Sequence, residues 1–576
     1  NFATFFKGVT DYYRLSGDFQ GRVNNLTLND ANLRFGDNTS INGRLRMVGL
    51  PEFTETFIDF DLSDSYVQTS DLRPYVQPAT FGRLEPFTEV YLTSQFLGFP
   101  NDFVANGNFN TNLGRISTDI NLKLENPINE STYTGVLKME NFNLGGYTEQ
   151  PYFQYVTMNG EIEGTGFTLE EANFILRGEI QEIGINEYNY SNIVTDARFA
   201  KEFFEGYLSV DDPNIKLTTT GSIDLREGIN LFNVRATLDS AHLMALNLTD
   251  EPFFIRSNLS IDAQGLQVDN VEGKARFKDT YLFYRNKALV LDSLEVLAEK
   301  NDDGYRTIHM FSNLFNADID GRFDFSILGR DLTRLYEEYK LNFSNDREAI
   351  ASYYAEKELA LEDYSLRYDI TLSDMDPLLR VFLPDVQISQ RSRIYGSYTG
   401  GYTSIFSMNA HPDSVTIGSE LFRENDLQVS VSKVADSTNV LAMFYVNSKS
   451  QQIRSVETEN MYFEGIWNNS HIDFELDIDQ VAYPNYARLL GSLDFLPDET
   501  IMHIKPSDFS ILNEKWQVDP NNRFVFRKNY MIVESVNVFK EDQLISLEGT
   551  VSEDPADRLT LALHSLQLDN LNTITK

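Results

Sequence analysis

The stretch "LSGDFQGRVNNLTLNDANLRFGDNTSINGRLRM", Leu15 to Met47, decides the fold because its apolar residues return at every second position. From Leu15 to Val23 the odd positions are apolar or glycine, and the even positions are polar. A period of two residues is that of a β-strand with one face turned away from water. The stretch therefore predicts short strands that share one apolar face.

The phase of this alternation slips within the stretch and then returns. Asn24-Asn25 and Asn29-Asp30 mark the two slips, and Gly36-Asp37-Asn38 precedes a further strand. Asparagine, aspartate and glycine are the residues that tight turns favour. We therefore predict turns at these three places and a meander of antiparallel strands around them.

The same alternation runs through the rest of the chain, for example from Phe232 to Leu238 and from Leu559 to Leu563. A glycine, one residue of any kind and an apolar residue recur at Gly17/Phe19, Gly43/Leu45, Gly107/Phe109, Gly135/Leu137, Gly160/Ile162, Gly178/Ile180, Gly221/Ile223, Gly321/Phe323, Gly491/Leu493 and Gly549/Val551. The intervals between these glycines are unequal, whereas a propeller or a parallel β-helix keeps a fixed period. An extended antiparallel sheet that bends at glycine fits the pattern better.

Composition excludes several classes of protein. The 576 residues carry a net charge of −38, which repels nucleic-acid phosphates, so no nucleic-acid partner is expected. The chain has no cysteine, which excludes disulfides, thiolate metal sites and cysteine nucleophiles. No apolar run reaches the length of about 18 residues that a membrane-spanning helix needs, and no secretory signal is present. We take the sequence from Asn1 to Lys576 to be a piece of a longer protein.

Helix signals interrupt the strands at a few places. The longest runs from Asp331 to Tyr364 and predicts one or two amphipathic helices. Short helical turns are predicted at "SDLRPYV" from Ser70, "RDLTRLYEEY" from Arg330, "SDMDPLLRVFLPD" from Ser373, "YPNYARLLG" from Tyr483 and "LDNLNTI" from Leu568. We therefore predict a first β segment over residues 1–330, a helical insertion or hinge over 331–366, and a second β segment over 367–576 that continues the first.

The sequence shows no catalytic or metal-binding motif. The histidines, which do not stand at ligand spacing, are His242, His309, His411, His471, His503 and His564. Phosphate-loop, dinucleotide-binding and nucleophile-elbow motifs are missing. The carboxylate pairs Asp59/Asp61, Asp318/Asp320 and Asp477/Asp479 could each serve calcium or a glycosidase from one strand face. Such pairs arise by chance in so acidic a chain, so we predict a protein that is not an enzyme and that needs no cofactor.

Two stretches carry a family resemblance: "FEGYLSVDDPNIKLTTTGSIDLREGINLFNVRATLDSAHLMALNL" from Phe204 and "LISLEGTVSEDPADRLTLALHSLQLDNLN" from Leu544. In both, one-faced strands follow one another with glycine or turn residues between them. The chain resembles the periplasmic part of the TamB (translocation and assembly module) family, within the AsmA-like, bridge-like lipid-transfer proteins. The resemblance covers essentially the whole length and is one of pattern, without invariant catalytic motifs.

The resemblance implies an elongated, mainly antiparallel sheet curled into a U-shaped trough, a β-taco, with a few short helices. It implies a periplasmic protein of a double-membraned bacterium, anchored in the inner membrane, that passes phospholipid acyl chains between the inner and outer membranes. It also implies an outer-membrane barrel partner of the TamA type. The family's membrane anchor and its barrel-contacting segment are expected outside this sequence, so neither the anchor nor the partner contact is assigned to a residue here.

Other interpretations stay open at this point. A closed β-sandwich, whose apolar faces bury each other, produces the same periodicity as an open trough. A scaffold that assists the assembly of outer-membrane proteins with a TamA-type partner is a second functional hypothesis, and an extracellular adhesin or carbohydrate-active β protein is a third. Under the leading hypothesis, the residues predicted to line the lipid groove are Phe19, Leu28, Phe35, Leu45, Ile223, Leu225, Phe323, Phe325, Leu547, Val551, Leu561 and Leu563.

Overall fold

The computed structural model describes residues 12–125, 127–359, 362–511 and 513–566. It confirms the predicted fold class, because these residues form antiparallel β-strands with a few helices. The chain divides into two compact units. Unit 1 consists of Asn1–Leu266 and Ala275–Asn286, and unit 2 of Gln267–Lys274 and Lys287–Lys576.

Unit 1 is a meander in which each strand from the first to the fifteenth pairs antiparallel with its neighbours along the chain. Its strands are β1 (Arg14–Arg22), β2 (Asn25–Phe35), β3 (Thr39–Val48), β4 (Phe57–Gln68), β5 (Glu89–Phe99), β6 (Asp102–Thr111), β7 (Gly114–Lys123), β8 (Thr132–Asn143), β9 (Phe153–Thr165), β10 (Asn173–Ile185), β11 (Tyr188–Ala200), β12 (Phe203–Asp211), β13 (Ile215–Asp224), β14 (Leu231–His242) and β15 (Phe253–Gln264). Strand β16 (Glu272–Tyr284) has residues in both units.

The opening stretch folds as predicted except at one point. The chain turns between β1 and β2 and again between β2 and β3, as the sequence indicates. Asn29-Asp30, however, is a β-bulge and not a turn, because β2 continues through it. The register shifts between Leu28 and Ala31, and Asp30 has a φ of 50°. A bulge changes the phase of a strand without ending it, which is why the sequence pattern could not distinguish the two.

Two glycines in unit 1 show why this residue recurs in the strands. Gly135 in β8 has a φ of 150°, and Gly221 in β13 has a φ of 132°. A Cβ atom at Gly135 would lie 2.1 Å from the carbonyl oxygen of Asp119, and one at Gly221 would lie 1.9 Å from that of Asn233. The backbone of the next strand therefore comes closer than any side chain would allow, which is the close approach that glycine permits.

Unit 2 is also antiparallel, with a more branched order of strands. Its strands are β17 (Lys287–Lys300), β18 (Arg306–Ser312), β19 (Phe315–Arg322), β20 (Tyr364–Leu372), β21 (Val386–Ile388), β22 (Arg393–Gly400), β23 (Thr403–His411), β24 (Ser414–Ile417), β25 (Glu420–Val434), β26 (Leu441–Ile453), β27 (Val456–Asn468), β28 (His471–Gln480), β29 (Tyr486–Phe495), β30 (Thr500–Ile504), β31 (Asp508–Ile511), β32 (Glu514–Val518), β33 (Arg523–Arg527), β34 (Tyr530–Lys540), β35 (Gln543–Ser552) and β36 (Leu559–His564). Strand β20 pairs with β22, and the short β21 pairs with β24. From β29 to β34 the sheet continues by two branches, through β30 and β33 and through β31 and β32.

The helices of the described residues are few. They are α1 (Pro78–Leu84), α2 (Leu144–Thr148), α3 (Phe325–Ser344), α4 (Arg347–Glu356) and α5 (Asp376–Phe382), with 3-10 turns at Phe53–Glu55, Thr69–Leu72 and Ile128–Glu130. Helices α3 and α4 confirm the prediction of one or two helices from Asp331 onward, although α3 begins six residues earlier. Helix α5 and the turn Thr69–Leu72 confirm two of the shorter predictions. The predicted turn from Leu568 lies outside the described residues.

The predicted helical turn from Tyr483 to Gly491 is wrong. Residues Tyr486–Phe495 form strand β29 and pair with β28, so the backbone groups are satisfied by the sheet. Ala487 and Leu489 fit either structure by their spacing, because a short apolar run matches both periods. In the structure they pack against the buried Trp516 cluster.

The two units divide at residues 267–287, and both α3 and α4 belong to unit 2. Leu335 of α3 is buried in one cluster with Phe323 and Leu366, so the helix packs on the sheet of its own unit. Helix α3 is therefore held by packing within unit 2.

Candidate functional site

A continuous row of apolar residues crosses the sheet of unit 1. Cross-strand partners link one residue of every strand from β1 to β15. This first row is Phe19, Leu28, Leu45, Phe60, Phe96, Ala105, Ile120, Gly135, Ile162, Leu176, Ala197, Gly206, Gly221, Val234 and Ile261. Every member is apolar or glycine, so the face carries an uninterrupted hydrophobic strip.

The first row is only partly shielded from solvent within the structure. From β5 to β15 its members are half-buried, with the exception of the buried Leu176 and Ala197. Residues inside a closed sandwich interdigitate and lose nearly all their exposure. An apolar strip that stays half-buried therefore keeps contact area available to a ligand.

The opposite face of the same strands is polar. Along β8, Leu137 is half-buried on the apolar face, whereas the other face carries the exposed Thr134 and Lys138 together with Val136, which is 43% exposed. Arg177 pairs with Asp196 on the next strand at 3.1 Å, and such pairs recur across this outer surface. The charged side chains of these pairs therefore lie on the face opposite the apolar strip.

The predicted carboxylate pairs are part of these surface ion pairs. Asp61 lies 2.8 Å from the guanidinium of Arg44, and Asp59 lies 3.4 Å from it. The hydrogen bond from Arg44 to Asp61 and the charge of both carboxylates raise the pKa of Arg44. Asp477 and Asp479 face Arg488 in the same way, at 3.5 Å and 2.5 Å. Each of these two carboxylate pairs therefore faces an arginine on the same surface.

One rim of the unit 1 face is closed by packed aromatic side chains. Phe142 is 1% exposed and packs with Val156, Met158 and the side chain of Tyr147 from α2. At the other end of β8, burial raises the pKa of Tyr133 to about 12. The short helix α2 therefore packs over one end of these strands.

Unit 2 carries a second row of the same kind. It runs from β19 to β36 through fourteen residues, each paired with the next across neighbouring strands. This second row is Gly321, Leu366, Tyr398, Phe406, Val431, Ala442, Trp467, Ile472, Leu493, Met502, Phe524, Val533, Gly549 and Leu559. Its aromatic members make it bulkier than the first row.

Helix α3 covers the first half of the second row. The ring of Tyr339 lies 5.6 Å from that of Trp467, and the ring of Phe343 lies 5.8 Å from it. The Tyr339 hydroxyl donates to the carbonyl oxygens of Ser432 and Leu441, at 2.9 Å and 2.6 Å. A helix of 20 residues is about 30 Å long, which matches about six strand spacings. The row beneath it is accordingly buried at Leu366, Tyr398, Ala442 and Trp467.

A buried charged cluster fastens α3 to the sheet and to α4. Glu338 of α3 is 1% exposed and lies 2.5 Å from the ammonium of Lys357 and 3.5 Å from that of Lys433. The hydroxyls of Tyr353 and Tyr354 in α4 donate to its two carboxylate oxygens, at 3.2 Å and 3.0 Å. Burial, followed by the charge of Glu338, raises the pKa of Tyr353 to about 12. Every contact on the carboxylate therefore holds the helix pair in one position.

Four of the residues predicted to line a groove lie on the apolar face of unit 1. Phe19, Leu28 and Leu45 are consecutive members of the first row. Ile223 follows Gly221 by two residues in β13 and therefore shares its face. The structure brings these residues onto one surface.

Phe35 and Leu225 are placed differently. Phe35 is buried at the end of β2, where its ring centroid lies 5.6 Å from that of Tyr75. Leu225 follows the last residue of β13, and its amide donates to the carbonyl of Glu202. Phe35 is thus part of a packed rim, and Leu225 belongs to a loop.

The four residues predicted near the end of the chain share the apolar face of unit 2. Leu547 pairs with Leu561, and Leu563 lies two residues further along β36. Val551 follows Gly549 of the second row by two residues. Leu561 is 61% exposed, so this end of the face is open.

Phe323 and Phe325 lie in a closed core. Phe323 is 5% exposed between β19 and α3, and Phe325 is the first residue of α3. Their ring centroids are 5.2 Å apart. They hold the helix on the sheet and do not face an open surface.

The histidines do not assemble into a metal site. Within the described ranges, no three histidine, aspartate or glutamate side chains are placed to hold a metal ion. His309 pairs with Asp318 at 2.5 Å, and His471 bridges Asp473 and Asp494. None of the helices in the described part of the chain combines the length and the hydropathy that a bilayer span needs.

Comparison with protein-family models and with curated proteins finds no match for this chain. The resemblance to AsmA-like proteins therefore rests on the sequence pattern alone.

Sequence reasoning missed two features of these faces. It found single strands, but it did not identify the in-register rows, because the register depends on bulges and loop lengths. It also missed the buried charged cluster around Glu338, although in "RLYEEYK" Glu338 follows Leu335 by three residues and so falls on the apolar face of an amphipathic helix. This position in the helical pattern is the signal in the sequence that Glu338 is buried.

Proposed function

We propose that this protein binds the acyl chains of phospholipids on its apolar faces and conducts them along an open β trough between two membranes. The proposal places the protein in the periplasm of a double-membraned bacterium, as the resemblance to AsmA-like proteins implies. It assigns no catalytic role to any residue.

The observation that carries this proposal is the first row of unit 1. Fifteen strands each contribute one apolar residue or glycine in register, and most of them stay half-buried. At about 4.8 Å per strand, this row extends over roughly 70 Å. An acyl chain on such a strip finds an apolar surface wherever it moves.

The residue types in the row favour movement over tight binding. Each buried CH2 group is worth about 0.8 kcal/mol, so a deep pocket would trap an acyl chain of ordinary length. From β6 to β15 the members of the row are glycine, alanine, valine, leucine or isoleucine, and none of them is aromatic. A shallow, even surface supports sliding.

Native mass spectrometry of the purified chain, followed by lipid extraction, tests the proposal first. We expect several phospholipids bound to each chain. A phospholipid with a photoreactive acyl chain should then crosslink to residues of the first row and its neighbours on the same face. A chain that stays free of lipid under gentle conditions would contradict the proposal and favour the scaffold hypothesis.

A matched pair of variants in β8 tests the face itself. Leu137→Asp puts a charge on the half-buried apolar face, and we expect crosslinking of the lipid to fall at least about tenfold. Val136→Asp makes the same change one residue away on the exposed face and should leave crosslinking unchanged. Equal effects from both variants would show that the apolar face is not the binding surface. Glycan binding by the unmodified chain would instead favour an adhesin.

A further inference from the structure

A polar groove lies on the face of unit 1 that is opposite the first row. The first row crosses β13, β14 and β15, and one residue away along these strands Thr220 pairs with Arg235, and Arg235 with Ser260. Neighbouring residues of a strand point to opposite faces, so these three side chains lie on the polar face. The groove has a volume of about 480 Å³, and its lining, which belongs to unit 1, includes Thr218, Arg235, Thr237, Asn258, Ser260 and Lys278.

The side chains that line the groove can donate hydrogen bonds. Threonine, serine, asparagine, arginine and lysine supply all of them apart from Ala236 and Leu259. Among the described residues, neither a carboxylate nor an aromatic ring lines the groove. A divalent metal ion such as calcium is usually held by carboxylate oxygens, so the lining does not favour one. It suits a ligand that carries several acceptor oxygens.

Two cations of the groove, Arg235 and Lys278, have no carboxylate partner in the described part of the chain. No carboxylate oxygen of those residues lies within 4.0 Å of the side-chain nitrogens of either cation. Arg177, on the same polar face, is different because it pairs with Asp196 at 3.1 Å. An anion bound in the groove would supply the partner that both cations lack.

Two carboxylates lie beside the groove without lining it. Asp262 lies two residues from Ser260 along β15, and Asp279 follows Lys278 in β16. The Asp279 carboxylate accepts a hydrogen bond from the side-chain amide of Asn258 at 3.2 Å. These negative charges reduce the attraction of the whole region for anions. Binding must therefore come from direct contacts inside the groove.

Arg235 and Lys278 lie on the two strands that flank β15. Arg235 is in β14, and the hydroxyls of Ser257 and Thr280, 2.7 Å apart, join β15 to β16. At about 4.8 Å per strand, the backbones of β14 and β16 are about 10 Å apart. Two long side chains at that separation can both contact one group bound over Ser260 in β15.

We propose that the polar groove binds a phosphate group, held by Arg235, Lys278 and the hydroxyl of Ser260. The guanidinium and the ammonium donate charge-assisted hydrogen bonds, and a tetrahedral anion has enough acceptor oxygens for donors from three strands. Small-molecule sites have volumes of about 300–1,000 Å³, so the groove has room for a molecule that carries the phosphate. The site lies on the face opposite the apolar strip and does not depend on the proposed function.

Isothermal titration calorimetry of the full chain, at constant ionic strength with chloride as the reference anion, tests the site. The probes are glucose 6-phosphate, inorganic phosphate and glucose. We expect saturable binding of a phosphate and no binding of glucose. Tighter binding of glucose 6-phosphate than of inorganic phosphate supports a phosphorylated molecule as the ligand, and the reverse order supports free phosphate. If neither phosphate binds, the proposal is wrong.

Variants separate a phosphate site from general attraction to surface cations. Arg235→Gln and Lys278→Gln should each weaken phosphate binding at least about tenfold, because each removes a charge-assisted contact. Both side chains are exposed, so neither substitution disturbs the packing of the sheet. Arg177→Gln is the matched control, since it removes the same charge from the same face outside the groove. Equal losses in all three variants, or no loss in the first two, would overturn the assignment.

Amide hydrogen exchange of the full chain shows where the phosphate binds. We expect a saturating concentration of the tighter-binding phosphate to slow exchange in β13–β15 and to leave β6–β8 unchanged. Slower exchange only outside β13–β16 would place the phosphate elsewhere and contradict the proposal. The acyl-chain crosslinking concerns the opposite face and is measured separately, so failure of the phosphate site and failure of lipid conduction give different results.

Discussion

The first row of unit 1 and the second row of unit 2 are built alike, but helix α3 packs only on the second. Both are single lines of apolar residues in register across many antiparallel strands. The second row is covered over half its length by α3, and its buried members include Tyr398 and Trp467. The first row has no helix of that length over it in the described residues, and it is rich in glycine and alanine. A helix that packs on such a row turns it into a core. A row of small residues without a packed helix remains a surface.

The largest expected effect comes from the buried charged cluster around Glu338, which holds helix α3 on the second row. Glu338→Gln leaves Lys357 and Lys433 buried without a carboxylate, which should lower the free energy of unfolding of unit 2 by about 3–5 kcal/mol. Urea unfolding followed by tryptophan emission measures this. Glu337→Gln changes the exposed neighbour on the same helix and should have an effect below about 0.5 kcal/mol. If Glu338→Gln lowers the free energy of unfolding by less than about 1 kcal/mol, the packing of helix α3 does not depend on this charged cluster.

The next largest effect concerns a glycine in the first row of unit 1. Gly221→Ala places a methyl group 1.9 Å from the carbonyl oxygen of Asn233 at a φ of 132°, which should destabilise unit 1 by about 2–4 kcal/mol. Unit 1 contains no tryptophan, so amide hydrogen exchange of β12–β14 is the suitable readout. Gly228→Ala has a similarly restricted backbone, at a φ of 81°, but open space around it.

The comparison of Gly221→Ala with Gly228→Ala separates steric clash from backbone strain. We expect Gly228→Ala to cost about 1 kcal/mol, because only the strain of a positive φ applies. Equal losses of exchange protection in the two variants would show that the close approach of strands β13 and β14 is not what requires glycine.

The smallest expected effect is a pH dependence confined to unit 2. Hydrogen bonds from His471 to Asp494 and then Asp473 raise the pKa of His471, so the protonated form stabilises the fold. This contribution is fully present below the pKa of about 6.5 of an unfolded histidine and disappears as the pH rises through the folded pKa. Because the side chain is 41% exposed, we expect a loss of less than about 1 kcal/mol between pH 6 and pH 8.

Urea unfolding at several pH values, read by tryptophan emission, checks this effect. His471→Gln should remove the slope. His503→Gln is the control, because the ring of His503 faces the carbonyl oxygen of Pro520 at 3.1 Å and no carboxylate. A slope that survives in His471→Gln must come from other groups.

The sequence predicts the strands of this protein better than it predicts their arrangement. Alternation is local, so the fold class and the shared face of Phe19, Leu28 and Leu45 could be predicted. Register is not local, because a bulge such as Asn29-Asp30 resembles a turn in the sequence and shifts the pairing by one or two residues. The packing of helix α3 on the second row could not be predicted either. Burial of Phe323 depends on where α3 packs and not on the residues next to Phe323 in the sequence.

The neighbour-to-neighbour pairing of β1 to β15 has a consequence for how the chain acquires its structure. Most strands meet their partner across a short connection, with residues 69–88 between β4 and β5 as the main exception, so closing most hairpins costs little chain entropy. Local contacts of this kind favour fast folding. A chain that emerges end first, from a ribosome or across a membrane, can therefore add one hairpin after another to a finished edge. At the growing edge, only the newest strand exposes unpaired backbone at any moment, which limits the time during which other chains can pair with it.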